Sequence, residues 1–329
     1  MASPDKTDVT AIVPSNLRAP LDETMYSLDK IELEFLTKLT GIRDPEDLKK
    51  HAIAIQAEAY EVCLKSKAAE TSENLNMRLA TGLSLSLYPL KISRLPAYKE
   101  LLRVGKEWKG ALFLDIGCGV GNDLRKATAD GFPVTQAIAS DLRPEFWELG
   151  HKLFRSTPET FPAHFIPGDA LDPAFLKPVN IPMTAPTTPI PPLGSLTSLT
   201  PLVGRLSIIH ASSLFHLFNE EEQLRLAKQL GALLSPRPGS FIFGAHGGRP
   251  EKGFRIAASR PDSHGVRMFC HCPESWKRLW EKEVFREGRV TVKAHLQEVE
   301  RGDLLAVDSE GSKFHLIIWS VTRLPEVKL

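Results

Sequence analysis

The sequence predicts an α/β fold in which a mostly parallel sheet follows a helical N-terminal extension. Three observations predict it. Short apolar runs alternate with helix-compatible stretches from residue 107 to residue 329, the pattern of strands joined by helical crossovers. Leu112, Phe113, Leu114 and Ile116 flank an acidic Asp115, and Gly117, Gly119 and Gly121 follow before a polar stretch begins at Asn122. That reads as a buried strand, a tight turn and a helix start, the opening of a Rossmann-like unit. Residues 1–106 carry mainly helical signals.

The extension is read first. Residues 1 to 25 are polar with scattered prolines and read as an arm or a strap. Leu28 to Leu39 reads as a short helix stopping at Gly41. In the next helix Asp44 caps, Pro45 suits the first position, and Glu46 and Asp47 favour the positive end. Its apolar residues Leu48, Ala52, Ile55, Ala59 and Val62 recur every three or four positions and make one buried face. Ser72 to Ala80 reads as helical, Pro89 interrupts Leu85 to Ile92, and Pro96 to Trp108 reads as a helix feeding the first strand. Ligands of open α/β sheets sit at the carboxyl ends of the strands, so this extension is expected to cover the site and shape an acceptor pocket, with Tyr88 and Arg94 at the junction.

Residues 107–329 form the expected core. Val134 to Ala139 reads as the second strand, His164 to Pro167 as the third, Leu206 to Ser213 as the fourth and Ser240 to Ala245 as the fifth. Asn219, followed by three glutamates, opens a well-capped helix running to Leu234. Pro273 to Phe285 reads as another helix, with Trp276 and Trp280 on one face. Arg289 to Val299 and Phe314 to Thr322 close the chain as two strands joined by a turn at Glu310-Gly311. Residues 173–204 interrupt the pattern: eight of the chain's 25 prolines fall here, and at that density neither a helix nor a central strand continues. This is read as an insertion, disordered or laid over the surface.

Composition excludes several classes. A hydrophobic fraction of 42% and a charged fraction of 25% are those of a soluble globular protein. A net charge of +1 argues against a general nucleic-acid binder. No apolar run approaches the roughly 20 residues that span a bilayer, and the N-terminus has no apolar signal core, so a cytoplasmic location is expected. Four cysteines in 329 residues make no disulfide framework. Cys270-His271-Cys272 lacks a second ligand pair, so no metal is expected.

The glycine loop narrows the ligand. Its backbone admits close approach, and the helix behind it presents unpaired N–H groups and partial positive charge. A dinucleotide site wants a small third residue where this chain has Asn122. The D-x-G-x-G-x-G form instead resembles the first motif of class I S-adenosylmethionine-dependent methyltransferases. That resemblance implies cofactor contacts from Asp115, Gly117, Cys118, Gly119, Gly121 and Asn122, with the acidic residue meeting the ammonium. Asp141, about 20 positions on, is placed to accept from ribose hydroxyls, next to Leu142. Asp169 and Ala170 resemble the segment that reads the adenine amino group.

Beyond the cofactor motifs, the chain resembles fungal secondary-metabolite methyltransferases of meroterpenoid-pathway type. T-G-I at Thr40, L-K-K-H at Leu48, Y-P-L-K-I at Tyr88, S-D-L at Ser140, H-A-S-S-L-F-H-L-F at His210 and C-P-E-S-W at Cys272 carry the resemblance. It implies a seven-stranded sheet with its last strand antiparallel. It also implies O-methylation of a carboxyl or hydroxyl group on a hydrophobic terpenoid or polyketide-type small molecule. The proline-rich insertion departs from that pattern.

Transfer from a sulfonium is an in-line displacement that alignment accelerates. A carboxylate acceptor needs no base, whereas a hydroxyl benefits from a histidine. His216, after the fourth strand, is the first candidate to orient or deprotonate the acceptor, and His246, after the fifth, is the second. Ser212 is expected at the methionine end of the cofactor and Ser213 at the acceptor, although both also suit backbone groups at the strand end. A nicotinamide-dependent oxidoreductase and a non-catalytic member of the fold acting through partners are the alternatives. Acceptor identity and oligomeric state are not encoded legibly.

Overall fold

Asp29 and Asn219 open their helices with reciprocal capping boxes to Glu32 and Glu222, and Gly41 closes the first helix in the left-handed conformation. These local signals set α1 (Lys30–Thr40). Asp44 accepts from the N–H groups of Glu46 and Asp47 at 3.0 Å and starts α2 (Pro45–Lys67). The computed structural model describes residues 26–67, 90–258, 266–299, 305–306 and 314–326. The readings for residues 1–25, for Ser72 to Ala80, for Tyr88 and for the Glu310-Gly311 turn lie outside the described residues.

The remaining helices are α3 (Tyr98–Glu107), α4 (Asn122–Ala129), α5 (Pro144–Leu153), α6 (Glu220–Leu233) and α7 (Pro273–Arg278), the last widening into a π-turn over Leu279–Val284. Seven strands make one sheet: β1 (Phe113–Ile116), β2 (Ala137–Ser140), β3 (His164–Phe165), β4 (Ile208–His210), β5 (Phe241–Gly248), β8 (Val290–Val299) and β10 (Phe314–Arg323). Their order is β3-β2-β1-β4-β5-β10-β8, and β10 runs antiparallel to β5 and β8 on either side of it, opposite to the rest of the sheet. The expected seven-stranded, mostly parallel sheet is therefore present. A smaller antiparallel sheet, β7-β6-β9, was not expected; β6 (Gly253–Ala258) and β7 (Val266–Cys270) form its body and β9 (Leu305–Ala306) its edge.

Several strand boundaries moved: β3 ends at Phe165 rather than Pro167, and β4 covers only Ile208–His210 of the expected Leu206 to Ser213. Val134–Gln136 is a 3₁₀ turn rather than strand, closed by Gln136 N–H to the Pro133 carbonyl. β5 runs past Ala245 to Gly248, because β10 pairs with it as far as His315.

Both sheet faces are covered. α3 and α4 bring Leu101, Val104, Leu124 and Ala127 against Phe113 and Phe243 on one face. α6 and α7 bring Leu226, Leu230, Trp276 and Trp280 against Leu114, Ile242 and Trp319 on the other. Leu48, Ala52, Ile55 and Ala59 of α2 are buried against Leu149, Leu153 and Val120, as their spacing predicts. Burying a Leu or Ile there stabilises by roughly 1.5–3 kcal/mol. α2 thus lies along α5, α1 meets its end through Phe35 on Phe154, and the same cluster reaches the glycine loop at Val120.

The proline-rich stretch lies over the surface and is pinned. Arg323 donates to the Pro182 carbonyl at 3.0 Å, Arg205 to Thr188 at 2.7 Å, and Gln229 to the Leu176 carbonyl at 2.9 Å.

Candidate active site

The loop after β1 is shaped by positive φ at Gly117 (69°), Gly119 (54°) and Gly121 (79°), which β-carbons disfavour. Crowding adds to this at two of them. A β-carbon on Gly121 would stand 2.7 Å from the Trp147 ring, and one on Gly117 would stand 3.1 Å from Leu214. Gly119 differs: a β-carbon there would meet nothing within 4 Å, so this backbone borders open space at the strand tips.

Hydrogen bonds tie the tips together. Gly117 N–H donates to the Ser140 carbonyl at 2.8 Å, and Gly168 N–H to the Asp141 carbonyl at 2.9 Å. Asp141 accepts from Gly119 N–H at 2.8 Å and Arg143 N–H at 3.0 Å, and burial raises its pKa above the usual carboxylate range. Asp169 accepts from Leu171 N–H at 2.8 Å in its own turn. Asp115, Asp141 and Asp169 therefore stand at the ends of three adjacent parallel strands, with Ala170 beside Asp169 and Leu142 exposed at 38% beside Asp141. Asn122 is buried in the first turn of α4. Burial, with Asp141 and Asp115 nearby, pushes the Cys118 thiol well up.

Asp115 is 2% exposed and is not simply presented to the cleft. Its Oδ1 lies 2.8 Å from His210 Nδ1, and His210 Nε2 lies 2.7 Å from the Ser212 hydroxyl. Ser212 in turn accepts from Ala245 N–H at 3.1 Å. Asp115 Oδ2 is buried with no hydrogen-bond partner among the described residues. His210 was not foreseen as a site residue. A usable signal was its spacing from Ser212, because residues two apart on a strand share a face. Asp123 was missed as well. Its carboxylate accepts from Lys91 N–H and Ile92 N–H, both at 2.9 Å, and so fastens the extension to the start of α4. Burial is the main cause that raises its pKa, and the Asp115 field adds to it.

The other expected residues divide. Ser213 sits at the tip of β4 with φ 52°, uncommon for a residue with a side chain, and donates its N–H to the Ala245 carbonyl at 2.7 Å. His216 follows in a 3₁₀ turn, Phe215–Leu217, and its β-carbon faces Gly247 of β5. His246 is a correction in placement. It lies inside β5 rather than after it, is 1% exposed, and accepts from Trp319 Nε1 at 3.0 Å. Phe215, Trp276 and Trp319 surround its ring, and burial holds its pKa well below the ordinary value. A ring closed off in this way packs as part of the core. Arg94 is corrected too: its Nη2 is committed to Asp29 and, at 2.7 Å, to Glu32, which anchors α1. Among the described residues no group of three or more metal-ligating side chains converges, and no helix is long and apolar enough to cross a membrane.

The strand order, the single antiparallel strand and the glycine loop flanked by three strand-end carboxylates define an S-adenosylmethionine-dependent methyltransferase of the Rossmann-like class. A family profile described as "Meroterpenoid methyltransferase N-terminal domain" matches residues 21–64. The chain is 32% identical to methyltransferase adrK of Penicillium rubens over 227 residues, 67% of this chain and 69% of that one. It is 32% identical to O-methyltransferase phiE of a fungal species over 225 residues, 66% of each chain. Against the asnovolin E/chermesin D methyltransferase nvfJ of Aspergillus novofumigatus it is 28% identical over 238 residues, 72% of this chain and 74% of that one. The matched stretch thus spans about two thirds of the length of phiE. The chain belongs to this family of fungal secondary-metabolite methyltransferases. Among solved structures, an S-adenosylmethionine-dependent methyltransferase from Mesorhizobium loti aligns at 14% identity over 70% of this chain and all 100% of that one. Its TM-score of 0.40 is too low to add to the strand order.

Proposed function

We propose that the chain methylates a carboxyl or hydroxyl oxygen of a hydrophobic terpenoid or polyketide-type small molecule, with the cofactor held across the tips of β1, β2 and β3. The observation that carries the cofactor placement is the open space at Gly119 flanked by Asp115, Asp141 and Asp169. When bound, S-adenosylmethionine supplies an electrophilic methyl group on a sulfonium. The residues fit such a group: a buried carboxylate oxygen without a partner suits a cation, and strand-end acceptors suit ribose and adenine donors. In this reading Gly117, Cys118, Gly121 and Asn122 shape the loop, Leu142 and Ala170 line the adenine side, and Asp141 takes the ribose. Ser213 and His216, at the tip of β4, orient the acceptor. His216 removes a proton from a hydroxyl acceptor and only positions a carboxylate one. The nvfJ relative is named for asnovolin E and chermesin D, and the profile matched at residues 21–64 is described as a meroterpenoid methyltransferase domain, which supports a terpenoid acceptor for this chain. The extension, residues 1–106, forms a wall of the acceptor pocket, a role supported by the hold of Asp123 on Lys91 and Ile92. A cytoplasmic location belongs to the same reading.

The test is calorimetry with S-adenosylhomocysteine and with NAD, followed by transfer of labelled methyl to a panel of terpenoid acids and phenols. Binding of the first nucleoside alone, with label in an oxygen ester or ether, is expected. Preference for NAD would overturn the reading.

A further inference from the structure

The hydrogen bonds around Asp115 have a direction. An ionised carboxylate only accepts, so His210 donates from Nδ1, and the neutral imidazole then accepts at Nε2. Ser212 must then donate to Nε2 while accepting from Ala245 N–H, a group fixed in the β5 backbone. A backbone amide, a hydroxyl and an imidazole are thus polarised toward one oxygen of Asp115. All three side chains are buried, and Asp115 and His210 face each other because the β1–β4 register pairs them. The second oxygen, Oδ2, is left without a partner, which is costly for a buried charge unless a cation completes it.

We infer that Ser212 and His210 are positioning residues that hold the Asp115 carboxylate so that Oδ2 receives the α-ammonium of the methionine part of the cofactor. The inference rests on the proposed cofactor placement. It revises the role expected of Ser212: the hydroxyl acts through His210 and Asp115 rather than on the cofactor. It also sets a division of labour, with recognition of the amino-acid end on β1 and β4 and of the nucleoside on β2 and β3.

The test compares S-adenosylhomocysteine with its deamino analogue, in which hydrogen replaces the amino group, by calorimetry on the full chain. The unmodified protein should prefer the amino compound. In His210→Ala that preference should fall about tenfold, the scale of one charge-assisted hydrogen bond, while affinity for the deamino analogue stays within about twofold. His210→Asn, which keeps a donor near the Nδ1 position, should restore most of the preference. Should His210→Ala fail to fold, Ser212→Ala carries the same comparison with a smaller loss, about threefold. Equal losses for both compounds, or no loss, would overturn the inference and leave the cofactor placement standing. An unmodified protein that binds both compounds equally also overturns it. Binding of neither overturns the cofactor placement, and this inference with it.

Discussion

His210 and His246 lie on neighbouring strands, both 1% exposed, and point to opposite faces of one sheet. His210 pairs in register with Phe243, and His246 is three residues further along β5, so strand alternation turns its ring the other way. Each ring is held by a side-chain hydrogen bond, but the partners differ in kind. His210 faces a carboxylate at the base of the glycine loop, whereas His246 faces an indole inside an aromatic cluster. Burial alone therefore says little about what a histidine does. The charge and connectivity of its partner distinguish the two rings.

The largest effect expected of breaking this comparison lies on the aromatic side. Trp276→Ala removes the ring packed on Phe215, His246 and Trp319 and should cost about 3–5 kcal/mol in urea unfolding. Affinity for S-adenosylhomocysteine, measured on the folded fraction, should be unchanged. A parallel loss of affinity would mean that the two faces are not separable.

Next is acidification. Burial holds His246 well below its ordinary value, with His216 and His271 adding repulsion, and brings His271 down to about 4. Both rings stay neutral in the fold while the unfolded chain takes up protons. Stability is therefore fully present above roughly pH 6.5 and falls as pH drops below it, by up to about 1.4 kcal/mol per pH unit for each group. For His271 the loss levels off near pH about 4. Urea midpoints at pH 7 and pH 5 test this, and His271→Asn should flatten part of the slope.

Smaller effects fall on the loop side. Asp141→Ala should weaken cofactor binding by roughly 1–3 kcal/mol, because a half-buried acceptor that also holds Gly119 is lost. Gly119→Ala should weaken it by about 1–2 kcal/mol, from the positive φ alone. Urea midpoints should fall by less than in Trp276→Ala in both variants, and in Gly119→Ala by no more than that strain.

Much of this was legible in the sequence, and the reasons are local. The glycine loop could be read because only glycine takes three positive φ values in five residues without strain. The cap at Asn219 could be read because its bonds span three positions. The α2 stripe could be read because its period is that of a helix. His246 was misplaced because β5 owes its last turn of pairing to β10, a strand about 70 residues away that no local pattern in Ser240 to Ala245 announces. Arg94 looked free because its carboxylate partners lie more than 60 positions back in the chain.

The sequence by itself determined most of the helices, the cap at Asn219, the conformation of the loop and the class of ligand that such a loop accepts, since those depend on neighbours a few residues apart. Only the tertiary structure decided which of the buried histidines meets Asp115. That pair is 95 positions apart and exists because β4 rather than another strand lies beside β1 in a register that opposes the two side chains. Strand order is set by how the whole sheet buries its two faces, and no single segment carries that information.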